Sequence, residues 1–544
     1  MKIKVSDYIV DRLVRYGTDV FFGYQGGNIS HLIDSIGNHP DAKFVETCHE
    51  QAAAFAANAY AQISGKIGVA LASSGPGAIN LINGIANAFC DSIPCLFFTG
   101  DVNTSAKRTN SSRRQNAFQE IDIIPIVRSI SKYAISVNEP EAIIPELEKA
   151  INIAADGRPG PVIINLPHDI QRSFIKAETA DNADSSKKND DAGKHAQTVI
   201  DAISFAKKPV FLIGGGLRAK QTRDLFNIVL DGLRIPVICS LLGLDVIRHD
   251  HPCFRGVIGD YGIDAANTIL KRSDCVIVLG SRLDDRQISA SLAEELGHKR
   301  FVHVDIDPYE LGYKIKDEEK IECDLSALLS ALYNLLPTNL MFDGWLQETH
   351  DIFWENDQFA SDLFHPNRFI RDVSKACEAV FCFDVGNNQM HAMQSLYVRG
   401  NSKVLTSGGL GSMGYSIPAA IGACFSTVSD KVISICGDGG IQMNLQELQT
   451  IAYHKLPINI ILLNNSGLGM IYDLQNRLFD GRHTGTTENY GVPDFEKVAR
   501  AYGFDYIKVK DKSGFAFALE TITKKNGVFV DFVHMIGTSI SMKL

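Results

Sequence analysis

The chain has 544 residues, 45% of them hydrophobic and 21% charged, the profile of an ordinary globular protein with more than one core. A formal net charge of −10 argues against a general nucleic-acid binder, which would present a basic face. The opening run MKIKVSDYIVDRLVRYG mixes charges into its apolar residues, no apolar stretch is long enough for a bilayer, and eleven cysteines lie without CxxC pairs; a secretory signal and a membrane span are disfavoured, and reduced thiols in a cytoplasmic protein are expected.

Short β-branched runs alternate with helical stretches, which predicts an α/β protein of three doubly wound domains with mainly parallel sheets. In chain order the expected strands are IGVALAS (67–73), CLFFTG (95–100), PVIINLP (161–167), PVFLIGGG (209–216), CVIVLGS (275–281), KVISICGDGG (431–440) and INIILLNN (458–465). Several end in Gly, Asn or Asp, and loops at the carboxyl ends of parallel strands are where ligands collect. A polar linker is expected at 175–197 and a second break near 337–367, giving domains at 1–174, 198–336 and 366–544. No short-period repeat is visible.

The chemistry-bearing segments begin with GYQGGN (23–28) and VETCHEQAAAFAANAYAQISGK, an Ala-rich helix opening near Glu50. Thr47-x-x-Glu50 also fits a capping box, a purely structural reason for a glutamate at a helix start. The basic stretch KRTNSSRRQ (107–115) reads either as a solvated loop or as a cationic collar for an anionic ligand. NAFQEID (116–122) follows, and then PHDIQ with His168. In the centre, GGG (214–216) after a strand is what any Rossmann-like domain shows, with or without a nucleotide.

Downstream come DVGNNQM (384–390) and LTSGGLGSMGYSIPAAIGA (405–423), then Gly437-Asp438-Gly439 at the end of one buried strand and Asn464-Asn465 at the end of the next. NLQELQTIAYHKLP between them reads as one helix and a turn. A right-handed βαβ unit sets the two strand ends side by side, so the Asp438 carboxylate and the Asn465 amide oxygen converge. Hard oxygen ligands with room for diphosphate oxygens suit Mg2+ or Ca2+. Gly437, Gly439 and Gly440 would let backbone N–H groups approach phosphates. An ordinary Gly-rich turn with an Asp cap explains GDG alone; it does not explain the pair.

GDG followed at this spacing by NN resembles the thiamine-diphosphate (ThDP) motif of the pyruvate-oxidase and acetolactate-synthase group. The block from Glu46 to Thr104, including SSGPGAINLINGIANAFCDSIPCLFFTG, is similar to the pyrimidine-binding domain of acetolactate synthase, and the likeness runs in family order from about residue 5 to 535. The resemblance implies a pyrimidine-binding, a central Rossmann-like and a diphosphate-binding domain. It implies ThDP and Mg2+ as cofactors, with Asp438, Asn465 and the Gly467 carbonyl as metal ligands. It places Gly386, Asn387, Asn388, Gly411, Ser412, Met413, Gly437, Gly439, Gly440, Leu468, Gly469 and Met470 against ThDP, with Met413 beneath its two rings. The glutamate matching Glu50 hydrogen-bonds the aminopyrimidine in that family, and Phe118 and Gln119 match substrate-side residues.

In acetolactate synthases the central domain carries FAD in a structural role. ICSLLGLDVI, VLGSRLDDRQ and VHVDIDPYELG resemble it, which makes Gly214, Gly215, Gly216, Arg282, Asp284, Asp305 and Asp307 the candidate flavin contacts; whether FAD is retained stays open. The family's cofactor lies between two chains, so the resemblance implies a homodimer or a homotetramer with a shared site. The implied activity is carboligation: decarboxylation of a 2-oxoacid, with pyruvate the expected donor, and transfer of the two-carbon unit to a second carbonyl acceptor.

The chain departs from the family where substrates sit. Gln25 and Asn28 stand where Pro and Ala are usual, Leu474 where a tryptophan selects the second 2-oxoacid, and His168 where a lysine is usual. These changes point to an acceptor other than a 2-oxoacid, such as a sugar ketone or an aldehyde, with Gln25, Asn28 and Gln119 as candidate contacts. A simple 2-oxoacid decarboxylase, with His49 as the acid, and a flavin-dependent pyruvate oxidase are the rivals. A non-catalytic subunit would be expected to have lost Glu50, Asp438 or Asn465.

Overall fold

A computed structural model describes residues 2–109, 112–176, 191–337, 340, 342–355, 364–426 and 430–538. Eighteen of its strands fall into three six-stranded parallel sheets, one in each expected domain. Every strand predicted from an apolar run is present: Gly68–Ala72, Cys95–Asp101, Pro161–Pro167, Pro209–Ile213, Cys275–Leu279, Val432–Gly437 and Ile458–Asn464. A parallel strand covered by helices on both faces must be apolar throughout, which is why these runs are continuous rather than alternating.

In the first sheet the spatial order is Lys43–Glu46, Val20–Gly23, Gly68–Ala72, Cys95–Asp101, Pro161–Pro167, Tyr133–Ser136. In the third it is Lys403–Leu405, Val380–Phe383, Val432–Gly437, Ile458–Asn464, Val528–Val533, Asp505–Val509. Counted along the chain within each sheet, both orders are 2-1-3-4-6-5. The central sheet runs Phe254–Val257, Val237–Cys239, Pro209–Ile213, Cys275–Leu279, Arg300–Asp305, Glu319–Glu322, which is 3-2-1-4-5-6, the order of dinucleotide-binding folds. In all three the order reverses beside the first strand, and that crevice is where such sheets take ligands.

Two boundaries differ in detail from expectation. The helix Ala192–Phe205 begins inside the expected linker, of which 177–190 lie outside the described residues. The expected break near 337–367 contains the helix Asp343–Glu355, which packs back on the central domain through a Trp345 Nε1 bond to the Pro209 carbonyl, 2.9 Å.

The outer domains meet through two helices poor in bulk, Glu50–Ser64 and Ser416–Phe425. Their small residues allow backbone-level contact: a Cβ at Gly422 would collide with the Ala56 carbonyl oxygen. One continuous apolar core contains Ala53 and Phe55 together with Ile417, Ala420 and Ile421, and Phe55 meets Tyr415 edge to face at 5.3 Å. Among the described residues no helix is long and apolar enough to cross a membrane, and no disulfide joins any of the cysteines.

Candidate active site

The metal-side cluster is built by two neighbouring strands. Val432–Gly437 and Ile458–Asn464 pair in parallel with Gly437 opposite Leu463, so Asp438 and Asn465 emerge side by side. Asp438 is buried, and its Oδ2 accepts the Asn465 amide at 3.0 Å and the Gly467 amide at 3.4 Å. Asn465 Oδ1 accepts the Gly467 amide at 3.1 Å. Tyr490 donates its hydroxyl to Asp438 Oδ1 at 2.5 Å. Burial pushes the Asp438 carboxyl above the usual range, against the pull of Tyr490 and the backbone amides. A buried carboxylate and an amide oxygen beside the Gly467 backbone form an incomplete hard-oxygen set, which suits a divalent cation taking its other ligands from a diphosphate and water.

The glycines beside it are spaces rather than hinges. A Cβ at Gly439 would lie 2.7 Å from Leu468 Cδ2, 3.0 Å from the Tyr490 hydroxyl and 3.3 Å from Met413 Cε, so these three side chains wall one cradle. A Cβ at Gly440 would meet the Asp384 carboxylate at 2.9 Å, and one at Gly469 would strike the Asn387 amide. Gly386, at φ 103°, opens the helix Asn387–Ser395 towards this cradle, and a Cβ at Gly437 would come within 3.4 Å of Asn388 Nδ2. The side-chain oxygens of Asn387 and Asn388 are buried without a partner, as expected of groups that face a ligand.

Met413 stands on a turn held from below. Gly411 and Gly414 take φ 72° and 83°, and the Gly414 amide donates to both oxygens of Asp384, at 2.8 and 3.0 Å. Asp384 is buried, and burial raises its carboxyl to about 6. From the other side Ser412 Oγ donates to Asn83 Oδ1 at 2.7 Å, while the amides of Gly408 and Gly409 bond Asp91 at 3.0 and 2.7 Å. Met470, next to Gly469, is partly buried and packs against the apolar core.

The second cluster lies at the carboxyl ends of the first sheet. Glu50 is the first residue of its helix, but the capping box is not formed: His49 is the N-cap, its Nδ1 accepting the Gln51 amide at 3.1 Å, and Thr47 Oγ1 donates to the His49 carbonyl at 2.9 Å. Glu50 is thereby left for other partners. Its Oε2 accepts Asn80 Nδ2 at 3.0 Å, and a Cβ at Gly77 would sit 3.0 Å from its Oε1. Gln119, at φ 63°, packs on Gly75; Asn28 Nδ2 donates to Ser74 Oγ at 2.6 Å; Gln25 is exposed beside them. Phe118 is 84% exposed, projecting from the surface rather than into the chain. Of the basic stretch, Lys107 pairs with Asp101 at 2.8 Å and Arg108 bonds the Arg113 carbonyl at 2.9 Å, so two of its cations are spent within the domain; residues 110 and 111 lie outside the described residues. Leu474 is half-buried on the helix Gly469–Leu478.

Among the described residues no hydrogen bond joins Glu50, Gln119, Gln25 or Asn28 to Met413, Asp438, Asn465 or Leu468. The chain therefore carries two separate clusters, two half-sites, one at the ligand-side crevice of each outer sheet.

A third site opens at the switch point of the central sheet, a cavity of about 870 Å³ between all three domains. Gly215, Gly216, Arg282, Asp284 and Asp305 line it. Gly214 does not; it is glycine because a Cβ there would collide with the Gly280 carbonyl oxygen. Asp307 holds Arg158, another lining residue, at 2.8 Å.

The comparisons with known proteins follow this geometry. Residues 3–126 match the thiamine pyrophosphate enzyme N-terminal TPP binding domain, 196–332 its central domain and 384–532 its C-terminal TPP binding domain. The acetolactate synthase large subunit of Lactococcus lactis subsp. lactis is 34% identical over 97% of this chain and 92% of its own length. The chain belongs to the acetolactate synthase large-subunit family of thiamine-diphosphate enzymes. The isozyme 2 large subunit of Escherichia coli K12 is 33% identical over 96% of this chain and 94% of its own length, and the large subunit of Cyanidium caldarium 34% over 95% and 91%. As a family member the chain is a thiamine-diphosphate-dependent enzyme, and its three parallel sheets are the family's three domains.

Sequence reasoning missed Tyr490, Asp384 and Asn80. Tyr490 sits in an irregular loop, and nothing in ENYGVPD marks it. Asp384 carried a usable signal, an Asp directly after the apolar run VFCF, at the strand end where ligands collect.

Proposed function

We propose that this enzyme is a carboligase that decarboxylates a 2-oxoacid, with pyruvate the expected donor, and joins the two-carbon unit to a second carbonyl compound. The observation that carries this reading is the Asp438–Asn465–Gly467 convergence beside the Met413–Leu468–Tyr490 cradle, in a chain a third identical to acetolactate synthases. Those relatives favour ligation over simple decarboxylation or flavin-dependent oxidation of pyruvate.

Asp438, Asn465 and the Gly467 carbonyl would hold Mg2+, and the glycine-walled cradle the diphosphate. When bound, thiamine diphosphate supplies a carbon nucleophile that adds to the 2-oxoacid carbonyl and takes up the electron pair released with carbon dioxide. Glu50 would exchange a proton with the aminopyrimidine nitrogen, held for it by Asn80. Met413, fixed through Asp384 and the Gly414 amide, would support the two rings. Gln25, Asn28 and Gln119 would orient substrate oxygens; neutral amides deliver no acid, which limits loss of the intermediate as free aldehyde.

The half-sites and the apolar residues around them fit a homodimer, or a pair of dimers, in which the Glu50 cluster of one chain meets the Asp438 cluster of the next. Ile79, Phe89 and Phe118 on the first domain and Leu410 and Met443 on the third are exposed large apolar side chains. The central cavity has the volume, the glycine backbone and the arginines for a dinucleotide, and we assign it to FAD.

The deciding experiment is pyruvate turnover with thiamine diphosphate and Mg2+, products identified by mass spectrometry, with and without added carbonyl acceptors. Product that requires an acceptor other than pyruvate supports the role given to Gln25, Asn28 and Leu474. Robust acetolactate from pyruvate alone, with no gain from any other acceptor, assigns the enzyme to the ordinary synthases.

A further inference from the structure

His31 and His168 face each other at the carboxyl-end rim of the first sheet, with ring centroids 4.6 Å apart and planes tilted by 44°. His31 lies in the first turn of the helix Ser30–Asn38 and His168 opens the helix His168–Arg172. Both rings are partly exposed, and among the described residues neither makes a hydrogen bond. Their place is tied to the substrate-side loop: Gln171 Nε2, one turn beyond His168, donates to the Asn28 carbonyl at 2.7 Å. Asn28 in turn bonds Ser74, whose neighbour Gly75 packs on Gln119.

Charges of both signs surround His31. Lys4, from the strand Lys2–Lys4, and Arg172, on the same helix as His168, face it together with one carboxylate, Asp34. Asp34 and Asp7 are already engaged with Lys4, at 3.5 and 3.9 Å. With Lys4 so engaged, Arg172 is the exposed cation that, among the described residues, has no ion pair, and an anion could be shared between its guanidinium and the two imidazoles.

We propose that His31 and His168 form an anion subsite for the acceptor, binding its carboxylate or phosphate while Gln25, Asn28 and Gln119 hold the reacting carbonyl. The inference rests on the carboligase reading and adds the class of acceptor: an anionic aldehyde or ketone rather than a neutral one. Burial, the neighbouring His168 and the cations Lys4 and Arg172 lower the His31 pKa, so the His31 ring resists charging until an incoming anion brings its proton with it. Anion affinity should therefore weaken as pH rises through the histidine range.

The test uses the holoenzyme and matched acceptors, glyceraldehyde against glyceraldehyde 3-phosphate and propanal against 2-oxobutyrate, with pyruvate as donor. In His31→Asn and His168→Gln the preference for the anionic member, as a ratio of kcat/KM values, should fall about tenfold or more, the loss expected for charge-assisted hydrogen bonds. His168→Lys, which keeps a cation, should restore the ratio and lose part of its pH dependence; this rescue separates binding from misfolding. An unchanged ratio in both variants overturns the proposal. Inorganic phosphate provides a readout without turnover: it should protect both histidines from carbethoxylation, followed by peptide mass spectrometry. If no acceptor is ligated, the carboligase reading fails and this protection alone judges the subsite, its absence overturning it.

Discussion

Glu447 shows how one side chain can connect the two half-sites. It is fully buried, follows the helix that carries Asp438, and accepts the Cys48 amide at 2.9 and 3.1 Å at the start of the helix that carries Glu50. Thr450 Oγ1 donates to its other side at 2.8 Å. Burial raises its carboxyl from 4.5 to about 7, against those hydrogen bonds. The folded chain thus holds this proton more tightly than the unfolded one, so the stabilisation is complete below the ordinary value and is lost as pH rises through about 7. Asp384 and Asp91 act in the same direction but finish near their own values of about 6. Between about pH 6 and 7 Glu447 should contribute a fall in stability, set against the rise from the buried histidines His249, His391 and His534, whose folded pKa values are lowered. Glu447→Gln should remove that fall in urea unfolding of the cofactor-free protein. A slope unaltered in that window would show that the proton resides elsewhere.

At the scale of elements, packing demands explain both what could be read and what could not. Inner strands such as Cys95–Asp101 and Ile458–Asn464 are apolar because both faces are covered. The edge strands Lys43–Glu46, Glu319–Glu322 and Asp505–Val509 are charged, as exposed edges need to be, and their sequences resemble loops. Likewise GAC in the helix Ser416–Phe425 looks like unremarkable small-residue composition, yet Gly422 is the point at which that helix touches the Ala56 backbone. Gly422→Ala should cost about 1–3 kcal/mol in urea unfolding, the range for overpacking a tight contact. A neutral outcome would mean that the two helices can slide apart without loss.

The whole molecule carries a repeat that no sequence period reveals: the first and third sheets share the order 2-1-3-4-6-5. Each presents its ligand-side loops at the same crevice, Gln25–Asn28 with Ser73–Gly75 in one and Asp384–Asn388 with Asp438–Gly440 in the other. If a working site takes Glu50 from one chain and Asp438 from another, Glu50→Gln and Asp438→Asn should each be inactive alone yet complement when mixed. Random pairing of equal amounts makes half the dimers mixed, each with one intact site, so about a quarter of wild-type activity should return. A site contained in one chain would return none.

The sequence by itself determined the elements whose signal is local: buried strands, the Gly-rich turns after them, and the spacing that sets Asp438 beside Asn465. Those follow from backbone geometry and from the burial of each strand on two faces. Only the tertiary structure decided that His49 rather than Thr47 caps the helix and leaves Glu50 available, and that Gly214 serves packing while Gly215 and Gly216 line the cavity. It alone brought Tyr490 to Asp438 and His31 to His168. Each of these depends on contacts between segments far apart in the chain, where the identity of one partner carries no information about the other until the sheets are assembled.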